Sequence, residues 1–256
     1  MLRARRCALS RVAERSEKST PVALSENTIP VHHSLSYNVH MDYSSQKKFF
    51  QTAYTTGTDD WSHIPFTMKG GELMQSIEPG SMILDVGSGR GHMPFELAKN
   101  GYKVIGMDIV GNLVEKNNLE VKNFKLESRL KFIEGDIFDI PLSDASFDAV
   151  TDVGLLQHIH PEDWSDYRNE IVRVLKPGGY FFLITLAKDT QSYFNWHPKS
   201  NSFGDFEHDG VFYHFFTNEE LNILFESDFD ILSQRHETVT EHHDPAVHIV
   251  SLMRKK

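Results

Sequence analysis

The residues best placed to do chemistry lie at positions 85–91, which read D-V-G-S-G-R-G. The three alternating glycines permit positive φ angles and let a ligand approach the backbone closely. A dinucleotide-binding loop would follow G-x-G-x-x-G, but His92 takes the third glycine position of that pattern. Asp85, two residues before the first glycine, would repel a pyrophosphate. The motif therefore predicts a site for a cationic ligand that carries an ammonium and a sulfonium group.

Two further acids each follow a predicted strand. Asp108 lies 17 residues after Gly91, where a carboxylate can accept hydrogen bonds from both hydroxyls of a ribose. Asp136, in a Gly-Asp-Ile turn, can accept a hydrogen bond from an adenine amino group, while Ile137 or Phe138 packs on the ring. The three acidic positions together predict a ligand that contains a nucleoside.

Strand and helix patterns alternate around these acids. Short apolar runs predict strands at 81–86, 103–107, 130–134, 147–151 and 180–185. Helical spacing predicts helices at 45–54, 72–77, 92–99, 112–128 and 164–175, and Thr217 with Glu220 forms a capping-box pattern for another. Residues 229–233 and 247–252 should pair antiparallel. The predicted fold class is α/β: a doubly wound, Rossmann-like seven-stranded sheet, mostly parallel with a C-terminal antiparallel hairpin.

From Phe66 to Lys256 the chain resembles the class I S-adenosylmethionine (SAM)-dependent methyltransferases. The motifs occur in family order: the loop at 85–91, Asp108, G-D-I at 135–137, F-D-A-V at 147–150 and K-P-G-G at 176–179. The resemblance implies SAM as cofactor and transfer of its methyl group to an acceptor. The implied cofactor contacts are Asp85, Gly87, Ser88, Gly89, Gly91, Asp108, Ile109, Asp136, Ile137, Asp152 and Val153.

Trp61 and the run F-Y-H-F-F at 212–216 are placed similarly to aromatic residues in the small-molecule branch of that family, such as the thiol, thiopurine and tellurite methyltransferases. This resemblance implies a small-molecule acceptor. The long segment at 186–217 is expected to act as a lid over that acceptor, because long loops in compact domains are usually functional. The candidate acceptor contacts are Tyr54, Trp61, Trp196 and Tyr213.

His158 is the candidate general base, because it follows the fourth strand and should face the acceptor. The loop there lacks the N-P-P-Y tetrapeptide of enzymes that methylate exocyclic amines. Seven of the 14 histidines lie between His197 and His248, but their spacing matches no compact zinc motif, so no metal is expected.

Composition limits the other functions. The single cysteine, Cys7, excludes a disulfide framework and a covalent cysteine mechanism in the core. The net charge of −10 disfavours nucleic-acid substrates, and no apolar run is long enough to span a membrane. Residues 1–40 are expected to form a disordered extension, with a targeting segment or a structured lid as alternatives, before a methyltransferase domain at 41–256. A cytoplasmic location is expected, with a mitochondrial one open because of the arginines in that extension.

Three other readings stay open. A protein that binds SAM or a nucleoside without catalysis would keep the same pocket, and product formation distinguishes it. A methyltransferase that acts on proteins would have an open groove in place of a lidded pocket. An NAD-dependent oxidoreductase is disfavoured by the missing third glycine. The acceptor atom and the oligomeric state are not encoded in these patterns.

Overall fold

A computed structural model of the chain describes residues 40–59, 61, 71–190, 205–208, 210–239 and 245–256. The described helices are α1 (Ser44–Thr56), α2 (Gly71–Ser76), α3 (His92–Lys99), α4 (Gly111–Asn123), α5 (Trp164–Val174) and α6 (Asn218–Phe225). The described strands are β1 (Met82–Val86), β2 (Lys103–Asp108), β3 (Leu130–Glu134), β4 (Phe147–Val153), β5 (Leu175–Leu186), β6 (Asp205–His208), β7 (Val211–His214), β8 (Phe229–Val239) and β9 (Ala246–Lys255). Apart from His40, the expected N-terminal extension lies outside the described residues.

Seven of these strands form one sheet in the order β3-β2-β1-β4-β5-β9-β8. The pairs among β1 to β5 are parallel, whereas β9 runs antiparallel to both β5 and β8. The predicted α/β class, the seven-stranded sheet and the C-terminal antiparallel hairpin are therefore confirmed. The strand order reverses between β1 and β4, and ligands of doubly wound sheets bind beyond the carboxyl ends of the strands at such a point.

Successive residues of the central strands face opposite sides of the sheet. Ile83 on β1 and Phe182 on β5 face the side covered by α2, α3 and α4. Their neighbours Leu84 and Phe181 face the side covered by α5 and α6. All four side chains are fully buried. Because both faces of the sheet are covered, the strands are continuous apolar runs instead of alternating ones.

Helix α4 ends at Asn123, earlier than the predicted end at 128. Lys125 adopts a left-handed conformation with a φ of 57°. The amide of Leu126 donates to the carbonyl of Val121 at 3.0 Å. This is the bond of a Schellman cap, which normally carries glycine at the left-handed position. Lysine there hid the helix end from sequence-based prediction.

Strand β5 begins at Leu175, so the turn predicted at 177–179 is instead a distortion inside a longer strand. The pairing with β4 jumps from Phe147 with Leu175 to Ala149 with Tyr180. Gly178 has a φ of 72° and absorbs part of this irregularity. The expected Pro-Gly-Gly break therefore bends the strand without ending it.

The insertion at 186–217 contains a hairpin that the sequence did not predict. Strands β6 and β7 pair antiparallel, and Gly210 between them has a φ of 77°. Residues 191–204 and 209 of the insertion lie outside the described part of the chain. At its end, the predicted capping box is present, because the Thr217 side chain accepts from the Glu220 amide while the Glu220 carboxylate accepts from the Thr217 amide.

Candidate active site

The glycine loop joins β1 to α3 at the switch point of the sheet. Its three glycines have φ angles of 64°, 50° and 80°, in the left-handed region that favours glycine. A Cβ added at Gly89 would lie 2.9 Å from the hydroxyl oxygen of Tyr54, and one at Gly87 would lie 2.9 Å from Cβ of Leu155. Both glycines therefore let helix α1 and the segment after β4 close over the loop.

Gly91 has a different role from the other two glycines. It does not line the cavity beside the loop. A Cβ at this position would lie 2.5 Å from Cζ of Phe132 on β3. Gly91 therefore serves the packing of α3 on the sheet, and we leave it out of the proposed cofactor contacts.

Asp108, at the end of β2, is tied to the glycine loop. One carboxylate oxygen accepts from the Gly89 amide at 2.8 Å and the other from the Val110 amide at 3.0 Å. Burial raises the pKa of Asp108, and those backbone hydrogen bonds oppose part of that effect. The Asn117 amide also donates to the Gly89 carbonyl at 2.8 Å. The loop is thus held from both sides before any ligand binds.

Asp85 lies at the cavity wall but is only 2% exposed. Its Oδ1 accepts a hydrogen bond from the Thr151 hydroxyl on β4. Burial raises the pKa of Asp85 to about 8, although the bond from Thr151 opposes the shift. A cation bound in the cavity would lower that pKa again, because an opposite charge favours the ionised carboxylate.

The segments after β2 and β3 form the other end of the cavity. Ile109, Ile137 and Phe138 supply an apolar wall beside the exposed Asp136. The Asp136 carboxylate accepts from the Phe138 amide at 3.0 Å. The ring of Phe138 stacks on His40 with centroids 4.2 Å apart. This end can hold a flat ring between apolar side chains with a hydrogen-bond acceptor at its edge.

The two residues predicted at the end of β4 differ in position. Val153 lines the cavity, but Asp152 does not. The fully buried Asp152 accepts from the Tyr167 hydroxyl and from the Leu155 amide at 2.7 Å. Burial raises its pKa to about 6 against those hydrogen bonds. The hydrogen bonds of Asp152 fix the segment after β4, so we do not include Asp152 among the proposed cofactor contacts.

His158 lies in a short 3-10 helix after β4 and lines the cavity. Its Nδ1 is 2.9 Å from the carbonyl oxygen of Phe212 on β7. Burial lowers the pKa of His158 to about 4, against the opposing effect of this hydrogen bond. The ring is therefore neutral near pH 7. A neutral imidazole can accept a proton, as the predicted role of general base requires.

Helix α1 covers the cavity and contributes residues that the sequence analysis missed. Gln46 donates to the His158 carbonyl at 2.9 Å and accepts from the Phe212 amide at 3.1 Å. Phe50 packs edge-on against the His158 ring, with centroids 5.2 Å apart. The aromatic residues of the predicted helix at 45–54 were the available signal for Phe50. No local pattern marked Gln46, because both its partners are more than 100 positions away.

Three of the four candidate acceptor contacts line the cavity. Tyr54, Trp61 and Tyr213 line the cavity, and Trp61 packs against Tyr54 with ring centroids 6.0 Å apart. Trp196 lies outside the described residues. Arg90 of the glycine loop forms an ion pair with Asp59 just after α1. This pair fixes the end of α1 against the loop.

The cavity that the described residues line has a volume of about 1040 Å³. This is at the upper end of the range for small-molecule sites. Among the described residues, no cluster of three metal-ligating side chains is present, and none of the described helices is long and apolar enough to cross a membrane.

Residues 84–183 match the family model described as a methyltransferase domain. A sterol 24-C-methyltransferase of Gibberella zeae is 38% identical over 106 residues, which cover 41% of this chain and 27% of that protein. A demethylmenaquinone methyltransferase of Clavibacter sepedonicus is 36% identical over 101 residues, 39% of each chain. The chain thus spans well under two thirds of the length of these curated relatives.

Solved structures share the fold. A 1,6-didemethyltoxoflavin-N1-methyltransferase of Burkholderia thailandensis superposes with a TM-score of 0.69 and 20% identity, covering 88% of this chain and 98% of that one. A SAM-dependent methyltransferase of Methanosarcina mazei has a TM-score of 0.65 and 24% identity, covering 72% and 97%. The chain contains a methyltransferase domain that includes residues 84–183.

Proposed function

We propose that this protein transfers the methyl group of SAM to a small-molecule acceptor. The observation that carries the proposal is one continuous cavity with two chemically different halves. The cofactor half follows β1, β2 and β3 and contains the buried acids Asp85 and Asp108. The acceptor half is built from α1, the segment after β4, and β5, β7 and β9. Its described lining residues include Gln46, Phe50, Tyr54, Trp61, Leu155, Gln157, His158, Ile184, Leu186, Tyr213, Phe215, Ala246 and His248.

The residues of the cofactor half fit SAM. Both oxygens of the Asp108 carboxylate accept backbone amides, and a ribose hydroxyl can donate to the lone pairs that remain. Ser88 also lines the cavity, although its hydroxyl group is buried. Asp85 supplies a carboxylate for the positive charge. Ile109 and Ile137 offer the apolar wall for the adenine, with Asp136 at its edge.

SAM, when bound, supplies an electrophilic methyl group on its sulfonium. The chain mainly has to hold the acceptor in line with that methyl group, and such orientation contributes about 7–11 kcal/mol. Gln46, Phe50 and Tyr213 hold the segment and ring of His158. His158 then removes the acceptor proton, an effect of about 10²–10⁴-fold.

The substrates of similar proteins favour a small acceptor. Two of the curated relatives are named for sterol and demethylmenaquinone substrates, and another for 27-O-demethylrifamycin SV. The Burkholderia structure was solved with 1,6-didemethyltoxoflavin and S-adenosylhomocysteine (SAH) bound. A partly closed cavity covered by α1 suits such small acceptors better than it suits a peptide acceptor.

Calorimetric titration of the full chain with SAM and SAH tests the cofactor assignment. Micromolar binding is expected for the wild type. Asp108→Ala should weaken it at least about tenfold, because hydrogen bonds to a charged group are worth about 1.5–3 kcal/mol each. Asp230→Ala, which removes an exposed acid on β8, should leave binding unchanged. No binding to either ligand in a folded sample would overturn the proposal, and binding without any methylated product would favour a non-catalytic role.

A further inference from the structure

Two polar atoms lie side by side at the wall of the acceptor half, and the surrounding structure fixes what each can do. The Phe212 carbonyl can only accept, so the proton of the neutral His158 ring is on Nδ1, 2.9 Å away. His158 Nε2 therefore presents a lone pair. The tautomer is set by the backbone of β7 and needs no ligand.

Gln157 supplies the complementary atom. Its Oε1 accepts from the Leu186 amide at 3.0 Å, which assigns the two ends of the side-chain amide. Its Nε2 is therefore a donor, and it makes a long hydrogen bond of 3.4 Å to the lone pair of His158 Nε2. A hydroxyl group of the acceptor would replace this long bond by contacting both nitrogen atoms.

A hydroxyl group matches this pair, because it can donate to His158 and accept from Gln157 at once. A carboxylate cannot donate, and an ammonium cannot accept. Two cations line the cavity close to the acceptor half, Lys47 of α1 and Arg90 of the glycine loop, and each already has an acidic partner, Glu134 on β3 and Asp59 respectively. A charged acceptor group would therefore lose its hydration beside cations that are already paired, which is costly.

The walls around the pair favour an aromatic compound. Phe50 and Tyr213 pack edge-on against the His158 ring, with centroids 5.2 Å and 4.7 Å away and interplanar angles of 71° and 68°. Trp61 and Phe215 extend the aromatic lining. Rings prefer such edge and offset contacts. Burial also makes His158 a weak base, so an acidic hydroxyl, with a pKa near the 10 or so of tyrosine, suits it better than an aliphatic one.

We propose that the methyl acceptor is an uncharged aromatic compound whose phenolic or enolic hydroxyl is bound by His158 and Gln157. This inference rests on the proposed methyltransferase function. The hydroxyl oxygen forms the new bond to the methyl carbon while the carbon–sulfur bond breaks and its electron pair stays on sulfur. The hydroxyl proton moves to Nε2 of His158. One positive charge leaves the sulfonium and one appears on the imidazole, so the net charge of the site does not change.

Binding to the full chain saturated with SAH tests the acceptor class without requiring turnover. The compounds are phenol, 2-naphthol and 4-phenylphenol, each with its carboxylate and its aminomethyl counterpart, and calorimetry measures their affinities. At least one hydroxyl compound should bind at least tenfold more tightly than both of its charged counterparts. With SAM in place of SAH, that compound should yield the methyl ether.

Gln157→Glu sharpens the test, because it keeps the acceptor for the Leu186 amide but removes the donor and adds a negative charge. The affinity for the hydroxyl compound should fall at least tenfold, and that for its ammonium counterpart should rise. Gln51→Glu makes the same change at an exposed position of α1 and should alter neither. If Gln157→Glu does not fold, as judged by circular dichroism, the wild-type comparison still decides.

Equal or tighter binding of the charged counterparts, or no binding of any hydroxyl compound, would overturn the acceptor assignment. Such a result with normal SAH binding would leave the proposed function standing. Failure of SAM and SAH to bind would instead remove the proposed function itself. The two failures are therefore distinguishable.

Discussion

The amide of Gly89 donates to the carboxylate of Asp108 over 2.8 Å, so the loop after β1 and the acid after β2 form one unit. Asn117 on α4 holds the carbonyl of the same glycine at 2.8 Å. Both peptide groups flanking the left-handed Gly89 are thus used by neighbouring strands and helices. The cofactor half is largely pre-organised, which limits the ordering cost of binding.

Gly89→Ala should weaken SAM binding at least about tenfold. The new Cβ would meet the Tyr54 hydroxyl at 2.9 Å, and the left-handed backbone adds about 1–2 kcal/mol of strain. Gly80→Ala is the matched control, because its φ is +85° but a Cβ there has open space. It should lower stability alone. If Gly89→Ala bound SAM normally, the close approach of Tyr54 would have no role in the site.

The pH dependence of kcat/KM should report the protonation state of His158. Burial lowers its pKa to about 4, and a general base works in its deprotonated form. Activity should therefore rise with pH through about 4 and show no histidine limb near 6.5. His158→Gln should lower kcat by about 10²–10⁴-fold with unchanged SAM affinity. A rate limb near 6.5 that disappears in this variant would contradict the buried, neutral state.

Glu220 should stabilise the protein in a pH-dependent way. Burial alone would raise its pKa, but the nearby His214 and hydrogen bonds from Lys188 and Thr217 outweigh burial and lower the pKa to about 2. Its contribution is therefore complete above about pH 4.5 and lost as the pH falls towards 2. Glu220→Gln should cost about 1–3 kcal/mol at pH 7 and little near pH 2.

Urea denaturation at several pH values measures this difference. Glu219→Gln provides the control, since it removes an exposed acid from the same turn of α6. It should change the free energy of unfolding by less than about 0.5 kcal/mol. A Glu220→Gln penalty that did not shrink at low pH would show that the contribution is not electrostatic.

Gln46→Leu should affect binding of the acceptor but not binding of SAM, because Gln46 lies on α1, which covers the acceptor half. The variant leaves the His158 carbonyl and the Phe212 amide without their side-chain partner, at a cost of about 1–3 kcal/mol. KM for the acceptor should rise while SAM affinity changes little. Gln51→Leu is an exposed control on α1. If the variant lost only SAM affinity, Gln46 would belong to the cofactor half and this prediction would be wrong.

Much of the fold could be predicted from the sequence because its strands are buried on both faces. Apolar runs that end at glycines located β1 and β3 closely, and the bounds of α3 were predicted correctly. The errors have local causes. Lys125 caps α4 in place of a glycine, and Gly178 bends β5 without ending it. The β6–β7 hairpin has short strands that left no clear alternating pattern.

The site was predictable where a motif is local and obscure where partners are distant. The glycine loop and Asp108 line the cavity as expected. Asp152 has the same sequence context as a ligand-binding acid, but Tyr167 on α5 occupies its carboxylate. Gln46 depends on residues more than 100 positions away. Such pairings are set by tertiary structure and leave no spacing in the sequence.

The residues that cover the acceptor half come from parts of the chain that lie outside the strands of the cofactor half. Gln46 joins α1, which precedes the sheet, to β7, which belongs to the insertion after β5. Strands β1, β2 and β3, which position the cofactor half, contribute little to this cover. Substitutions in α1 and the insertion can therefore reshape the acceptor half without altering the glycine loop or Asp108, so the two halves of the cavity can vary independently of each other.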